Sequence, residues 1–439
     1  MTPISPEKAK RYGLMVVIAA WMGLFCMFGY RSSFSIMQGL IIADTGWTTI
    51  QTSLGYCFMM VIYAITSFFC GSLIDKKGCK PVYAIGALCC FLGFFLTSFL
   101  NSDNPNSFYI YLFTYGLFAG VGTGMLGVTP VIACHSWFVG TKYATMYGFA
   151  FMGAPMAQLL LTLVLKPVLQ NMGWQVGMKV LAVIMAVALI IAALITKKGA
   201  TSYGIQPFGT ETLKKSAVSR RPITLREAFS TYAIWCDIGC FLTAMAGEFL
   251  IWSQAVGYFQ TDMNLSLNQA SNIYLIIGIC GIFTMPFAGK LSDIMVKKLG
   301  HEPKARKVML LLGPTYGIIA ILLCLTKSIP ACMIAMFFLA MYWGTQAANC
   351  AGYASSMFGG PTFGRIWGFA TLIVMGIGPA FGTFMGTWFK DNFGLYKPAF
   401  IFSLCAFAVA LILACTLPLR SRVDEKIEAE LAAAANSKS

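Results

Sequence analysis

The feature that most constrains this chain is a succession of long apolar runs separated by short polar loops. Crossing the ~30 Å hydrocarbon core of a bilayer takes ~20 mainly apolar residues in a helix, and most of these runs are that long. Hydrophobic residues make up 58% of the 439 residues and charged residues only 11%, whereas soluble domains carry roughly a quarter charged residues. No block outside the runs approaches the ~100 residues of a separate soluble domain. The sequence therefore predicts an all-α membrane protein with many spans.

Twelve spans account for the apolar runs. Spans 1 to 12 are predicted at about residues 12–37, 48–73, 81–100, 108–134, 143–165, 174–195, 229–258, 267–292, 308–326, 330–357, 363–389 and 398–417. This division gives an N-terminal six-helix half at 1–196, a linker at 197–227, a C-terminal six-helix half at 228–419 and a tail at 420–439. The first run is too long for a signal peptide and lacks its small-residue cleavage site, so we expect it to remain as a span.

The basic residues lie mostly on one side of this topology. An even number of spans puts both termini on the same side, and that side holds 25 of the 31 Lys and Arg residues. We call it the basic side; the positive-inside rule assigns it to the cytoplasm. The rule also explains the net charge of +15, so no nucleic-acid partner is needed. We predict a multi-pass protein of the cytoplasmic membrane with both termini in the cytoplasm.

The two halves repeat each other. When the chain is shifted by 218 residues, 44–75 aligns with 262–293 with nine identities in 32 positions, including Asp44 with Asp262 and Tyr56 with Tyr274. Two pseudo-symmetric halves of six helices are the simplest explanation. Parallel six-helix repeats are an architecture of alternating-access carriers.

A motif of glycine, acidic and basic residues ends span 2 and recurs at the end of span 8. The first copy reads Gly71-Ser-Leu-Ile-Asp75-Lys-Lys-Gly78-Cys-Lys80, and the second begins Gly289-Lys-Leu-Ser-Asp293. It resembles the G-x-L-x-D-R/K-x-G-x-R/K signature of the major facilitator superfamily, and the resemblance extends over essentially the whole chain. The resemblance implies the major facilitator fold and a gating role for Gly71, Asp75, Lys76, Gly78, Lys80, Gly289 and Asp293.

The physical chemistry of the motif agrees with a gating role. Gly71 and Gly289 have no side chain, so neighbouring helices can approach closely there. A carboxylate can meet the positive N-terminal end of a helix. The resemblance to the superfamily implies that Asp75 lies against the start of span 11, near Phe363 and Gly364. By the repeat we expect Asp293 near the start of span 5, around residues 141–144.

Glycines at intervals of four residues occur in two further spans. Such ladders favour close helix packing, and we predict interfaces at Gly116, Gly120 and Gly124 in span 4 and at Gly378, Gly382 and Gly386 in span 11.

Short segments indicate the branch of the superfamily. Tyr30-Arg31-Ser-Ser-Phe-Ser-Ile36 and the loop ending at 305–307 are similar to the anion:cation symporters, whereas Gly46-Trp47 and Trp137-Phe138 resemble monocarboxylate and oxalate–formate carriers. Both branches transport small organic anions, and the choice between them stays open. Where oxalate carriers place basic residues in spans 8 and 11, this chain has Met285 and Val374, which argues against a dianion held by two inner cations.

Three charged residues lie well inside spans: Arg31, Asp237 and Glu248. A charge near the bilayer centre costs ~3 kcal/mol or more, so such residues are usually paired or functional. Arg31 offers a planar fork that matches a carboxylate. Glu248 lies in span 7, the repeat mate of span 1, and could exchange a coupling proton. Alternatively, the two form a simple internal salt bridge. Asp237 is a second candidate proton site, or it binds backbone or a cation on the basic side.

The remaining candidates are polar and aromatic residues expected to line a central cavity. The substrate-binding set is Arg31, Tyr30, Tyr56, Tyr274, Trp252, Gln346 and Asn349. The alternative for the aromatic members is a position facing lipid.

No enzyme chemistry is indicated. The chain has no phosphate-binding glycine loop and only two histidines, so we expect no ATP drive, cofactor or metal. The sequence predicts a monomeric secondary active transporter of a small organic anion, a carboxylate, by alternating access with proton symport. An anion exchanger of the oxalate–formate type is the first alternative, and a non-transporting membrane sensor with a carrier fold is the second.

Overall fold

The computed structural model describes residues 4–101, 104–139, 141–210, 223–358 and 363–420, without the side chains of Asp75 and residues 141–144. Over these ranges the protein is almost entirely helical. Eleven of the helices are long and apolar enough to cross a membrane: Pro6–Thr45, Thr49–Ile74, Cys79–Thr97, Ser107–His135, Thr145–Ile195, Tyr232–Thr261, Leu267–Leu299, Glu302–Leu325, Ile329–Phe358, Phe363–Phe393 and Lys397–Thr416. The predicted all-α membrane fold is confirmed.

One of these helices contains two spans. Thr145–Ile195 has 51 residues and would be about 76 Å long if straight, more than twice the hydrocarbon core. At Gly173 the backbone takes φ 81° and ψ 174°, a conformation that glycine adopts without steric cost. The chain turns back there, so spans 5 and 6 are separate and the total is twelve. The sequence placed a loop at 166–173, but helix continues almost to the turn.

Irregular segments interrupt spans 4 and 5. Span 4 is helical at Ser107–Tyr111, π-helical at Leu112–Phe118 and helical again at Ala119–Gly124 and Thr129–His135. Span 5 consists of Thr141–Phe151 followed by the first part of Gly153–Ile195. Span 2 ends at Lys77, close to its predicted end.

The repeat is visible in equivalent contacts of the two halves. Thr48 caps span 2 through a capping box with Gln51, and Ser266 caps span 8 through the same box with Gln269. In each box the cap hydroxyl accepts from a backbone N–H while the glutamine accepts from the cap residue's own N–H. Both pairs are 218 residues apart, so the sequence repeat corresponds to a structural one.

The repeated aspartates also have equivalent places. Asp44, at the end of span 1, accepts hydrogen bonds from the side chains of Trp174 (2.9 Å) and Gln175 (2.7 Å) at the start of span 6. Asp262 follows span 7 and accepts from the backbone N–H groups of Tyr396 (2.8 Å) and Lys397 (2.9 Å) at the start of span 12. Each acid therefore joins the first and last spans of its own half.

Both glycine ladders lie at helix interfaces, as predicted. In span 4, a Cβ on Gly116, Gly120 or Gly124 would overlap Phe58, Ile62 or Thr66 of span 2, respectively. In span 11, a Cβ on Gly378, Gly382 or Gly386 would meet Leu242, Ala246 or Gln254 of span 7. The glycines allow the two backbones to approach, because any side chain would separate them.

The glycines of the gating motif do not pack in this way. Among the described residues, a Cβ on Gly71 or Gly289 would meet no other atom within 4 Å, and the same holds for Gly148 and Gly368 near the starts of spans 5 and 11. The close helix approach predicted at Gly71 and Gly289 is therefore absent from the described part of this conformation. At these four glycines the described helices leave room for a side chain at the basic side.

Candidate functional site

Arg31 lies between the two halves, deep in the bundle. It is 14 residues before the end of span 1 at Thr45, which places it about 21 Å from that end. Its side chain is 3% exposed. The guanidinium carbon lies 4.8 Å from the ring centroid of Phe28, 5.1 Å from that of Tyr63 and 5.2 Å from that of Phe249. Aromatic faces stabilise a cation, and here they come from spans 1, 2 and 7.

The guanidinium is only partly hydrogen-bonded. Nε of Arg31 donates to the hydroxyl of Tyr30 at 3.1 Å, whereas Nη2 is buried and has no hydrogen-bond partner. Aromatic rings replace only part of the hydration that a buried cation loses. An oxygen-bearing anion would complete the coordination of this side chain.

Glu248 lies at the same depth as Arg31, on span 7. It is 13 residues before the end of its helix at Thr261, or about 20 Å from that end, and is 5% exposed. Its Oε2 atom is buried without a hydrogen-bond partner. Arg31 and Glu248 form no ion pair, so the structure does not contain the simple salt bridge that the sequence left open.

A small cavity begins at Glu248. Its volume is about 10 Å³, and it is lined by residues of spans 7, 8 and 10: Glu248, Ile251, Trp252, Ile277, Leu339 and Tyr342. Nε1 of Trp252 is buried without a hydrogen-bond partner, and the hydroxyl of Tyr342 lies beside the carboxyl group of Glu248. Buried polar atoms are normally hydrogen-bonded, so the unpartnered atoms beside this cavity indicate a place for a single water, which needs roughly 10–15 Å³.

The predicted tyrosines of the repeat differ in their contacts. Tyr56 stacks on Phe34 with ring centroids 4.6 Å apart, and its hydroxyl is buried and unpartnered. The hydroxyl of Tyr274 donates to the carbonyl of Trp252 at 2.9 Å. Both side chains are fully buried, so neither faces lipid. Tyr56 has a free donor for a ligand, whereas the donor of Tyr274 is in use.

Two predicted members of the site belong to other contacts. Oδ1 of Asn349 accepts from Ser292 (2.7 Å), which also accepts from Arg306 (2.6 Å), and Nδ2 of Asn349 donates to a carbonyl of its own helix. These bonds hold spans 8, 9 and 10 together near the basic side. Asn349 therefore contacts this network and not the residues around Arg31.

Gln346 belongs to a second buried cluster. Its Nε2 donates to the sulfur atoms of Cys240 (3.5 Å) and Cys350 (3.6 Å), and its Oε1 is unpartnered. Asp237, one turn before Cys240, is 1% exposed, and its carboxyl group lies beside the thiol of Cys350. The alternative in which Asp237 binds backbone or a cation is absent from the described part of the chain, where no group of His, Cys, Asp and Glu could hold a metal either.

Sequence reasoning missed several residues of the Arg31 site. Phe28, Tyr63 and Phe249 surround the guanidinium, and Tyr342 lines the cavity with Glu248. One signal was available: Tyr63 is two helical turns after Tyr56 and so lies on the same face of span 2. The phenylalanines carry no signal, because an apolar residue in a span is equally expected against lipid.

The side opposite the basic side is closed by contacts between the halves. The carboxylate of Asp391, in the last turn of span 11, accepts from the backbone N–H groups of Thr49 (3.1 Å) and Ile50 (2.8 Å) at the start of span 2. Nζ of Lys166 in span 5 donates to Oδ1 of Asn272 in span 8 at 2.7 Å. Spans 5 and 11 are repeat mates, as are spans 2 and 8, so the two contacts join equivalent pairs of helices through residues that are not themselves equivalent. We call this pair of contacts the outer gate.

The motif acids lie at the open, basic side. Asp293 is exposed, as are Lys76 and Lys80, while Gly78 ends span 2 with φ 78°. The side chains of Asp75 and residues 141–144 are outside the described part, so the predicted contacts of Asp75 with span 11 and of Asp293 with span 5 stay predictions.

Comparison with known proteins identifies the family. The sequence model of the Major Facilitator Superfamily matches residues 20–304 and 239–438. The chain belongs to the major facilitator superfamily. It is thus a multi-pass membrane transporter and not an enzyme, as the sequence predicted.

Relatives and solved structures agree with this assignment. The chain is 23% identical over 346 residues to "Probable anion transporter 2, chloroplastic" of Oryza sativa subsp. japonica, covering 75% of this chain and 62% of that protein. It is 24% identical over 366 residues to "Probable anion transporter 3, chloroplastic" of Arabidopsis thaliana, covering 80% and 68%. The partially occluded inward-open structure of the xylose transporter XylE from E. coli superposes with a TM-score of 0.67 at 13% identity, over 93% of this chain and 98% of XylE. At that identity the structural likeness shows the major facilitator fold alone.

Proposed function

We propose that this major facilitator protein transports a small organic anion, a carboxylate, by alternating access coupled to proton symport. The observation that carries the proposal is the state of Arg31: a buried guanidinium between the two halves, with no acid partner and with Nη2 free. A buried charge without a partner is costly, and a substrate carboxylate would supply that partner with a matching planar fork. The names of the rice and Arabidopsis relatives, both anion transporters, agree with this substrate class.

A monocarboxylate fits the charge of the site better than a dianion does. Arg31 is the one Lys or Arg residue of the sequence that lies well inside a span, and Met285 and Val374 stand where a second cation would be needed. Glu248 adds a negative charge unless it is protonated. Binding of one carboxylate to Arg31 is therefore compatible with neutral Glu248, which links anion binding to proton uptake.

The conformation fits one stage of alternating access. The outer gate joins spans 11 and 2 and spans 5 and 8, whereas Gly71, Gly148, Gly289 and Gly368 mark ends that stand apart at the basic side. With the basic side in the cytoplasm, this is a state closed to the outside and open inward. The transition to the outward-facing state requires the outer gate to open. We propose that a monomer carries out this cycle at the cytoplasmic membrane, with Asp237 as a second proton site.

The test begins with ligand identification. Purified protein is screened by thermal shift against lactate, pyruvate, benzoate and malate, and the carboxylate that raises the melting temperature most is used, radiolabelled, in proteoliposomes. Symport predicts uphill uptake driven by an inward proton gradient alone. Uptake that needs an internal anion would indicate exchange instead, and binding without either flux would indicate a sensor.

Glu248→Gln separates coupling from binding. The variant mimics the protonated acid, so counterflow of the labelled carboxylate should persist while uphill uptake fails. Gln254→Glu provides a matched control, because it adds a carboxyl group to the same helix outside the cavity lining; it should not restore uphill uptake in the Glu248→Gln protein. Proton-driven accumulation by well-folded Glu248→Gln would refute the coupling role.

A further inference from the structure

The outer surface between spans 3 and 6 contains a groove of about 680 Å³, within the size range of ligand-binding clefts. Four alanines line it between the exposed side chains of Leu88 and Leu194: Ala84, Ala87, Ala186 and Ala193. Because an alanine side chain ends at Cβ, these positions leave a depression between larger neighbours. The groove is on the surface that meets lipid and is separate from the Arg31 site.

The groove has the length of one bilayer leaflet. Along span 3 its lining extends from Lys80 to Phe91, eleven residues or about 16 Å, and half of the ~30 Å hydrocarbon core is about 15 Å. A partner helix crossing the membrane would need a groove about twice as long. The dimensions therefore favour an acyl chain of one leaflet over a helix of a second copy.

One end of the groove is positively charged. Lys80 lines the groove in the first turn of span 3 and is exposed. The exposed Lys77 and Lys198 are at the nearby ends of spans 2 and 6, on the same basic side. Lysines at this level of a membrane attract anionic headgroups.

We propose that this groove binds one anionic phospholipid from the leaflet on the basic side, with an acyl chain along the alanines and the phosphate at Lys80. The apolar lining alone would accept any phospholipid. The lysine gives the preference for a net negative headgroup over a zwitterionic one, because only the former retains an uncompensated charge.

Native mass spectrometry of the full-length protein in detergent tests the proposal. Dioleoyl phosphatidylglycerol and dioleoyl phosphatidylcholine are added in equal amounts, and we expect one phosphatidylglycerol to be retained preferentially. Lys80→Gln should reduce its retention about five-fold, the change that corresponds to one lysine near an anionic surface. Ala84→Phe should reduce retention of both lipids, because Ala84 is exposed and the introduced phenyl ring would fill the groove.

Lys304→Gln is the matched control. Lys304 is an exposed lysine in the first turn of span 9, the repeat mate of span 3, so the variant removes the same charge at the equivalent helix start. Its lipid retention should equal that of the wild type. Three outcomes would each overturn the proposal. They are equal retention of both lipids by the wild type, an equal loss of phosphatidylglycerol in Lys80→Gln and Lys304→Gln, and a lipid-free dimer in place of a lipid-bound monomer. Unchanged retention in Ala84→Phe would also overturn it.

Discussion

Replacing Arg31 gives the sharpest test of the anion site. A hydrogen bond to a charged group contributes roughly 1.5–3 kcal/mol, and about 1.4 kcal/mol is a tenfold change in affinity. Arg31→Gln should therefore weaken binding of the carboxylate found by thermal shift by about 10- to 100-fold, measured by isothermal titration calorimetry. Arg31→Lys retains the charge but loses the planar fork, so its affinity for the carboxylate should fall between those of the wild type and Arg31→Gln.

Stability distinguishes an anion site from a structural pair. Arg31 forms no ion pair with Glu248, so Arg31→Gln leaves no carboxylate without its partner, and it removes a buried charge. The melting temperature of the ligand-free variant should equal or exceed that of the wild type. A structural salt bridge would give the reverse, because loss of one partner strands the other.

Arg306→Gln is the control for removal of a partly buried arginine. Arg306 bonds to Glu302 at 3.1 Å and to Ser292 at 2.6 Å, so this variant should have a lower melting temperature and unchanged carboxylate affinity. Unchanged affinity in a well-folded Arg31→Gln protein would refute the site assignment.

Three further predictions concern the gate, the packing and the orientation. Asp391→Asn should raise about five-fold the population of molecules that are open at the side opposite the basic side, because the charged contact of Asp391 with the start of span 2 contributes ~1 kcal/mol. Distances between spin labels on spans 2 and 11 measure this population. An unaltered distance distribution would contradict the gating role of Asp391. Gly382→Ala should lower the free energy of unfolding by about 1–3 kcal/mol through overlap with Ala246. Gly368→Ala, with no described atom within 4 Å of its Cβ, should not lower it. A cysteine introduced at Ser216 should resist labelling from outside intact cells, and ready labelling there would reverse the orientation.

The sequence was most informative where physical constraints are local or periodic. Apolar runs located the spans, because backbone groups in lipid must be satisfied within each helix. Glycines spaced by four, such as Gly116 and Gly120, indicated the interface of span 4, because residues at that spacing share one helix face. The 218-residue repeat also has a structural counterpart, because the capping box found at Thr48 recurs at Ser266.

The sequence was least informative about contacts between distant spans. Arg31 could be singled out as a charge in a membrane, but the rings around it could not, since Phe28 and Phe249 look like ordinary lipid-facing residues. Asn349 was assigned to the cavity because it is polar, whereas its partners come from spans 8 and 9. Gly71 was expected at a close helix contact, whereas a Cβ there would meet no described atom within 4 Å.

The outer gate places unequal demands on its two sides. Asp391 contributes a particular carboxylate, but its partners at Thr49 and Ile50 are main-chain N–H groups, which every residue except proline possesses. Substitutions at 49 and 50 should therefore leave the hydrogen bonds intact as long as proline is avoided, whereas most substitutions at 391 remove the acceptor. For this contact, tolerance to mutation depends on which partner supplies a side chain, and a residue's position in the gate does not by itself determine how freely it can vary.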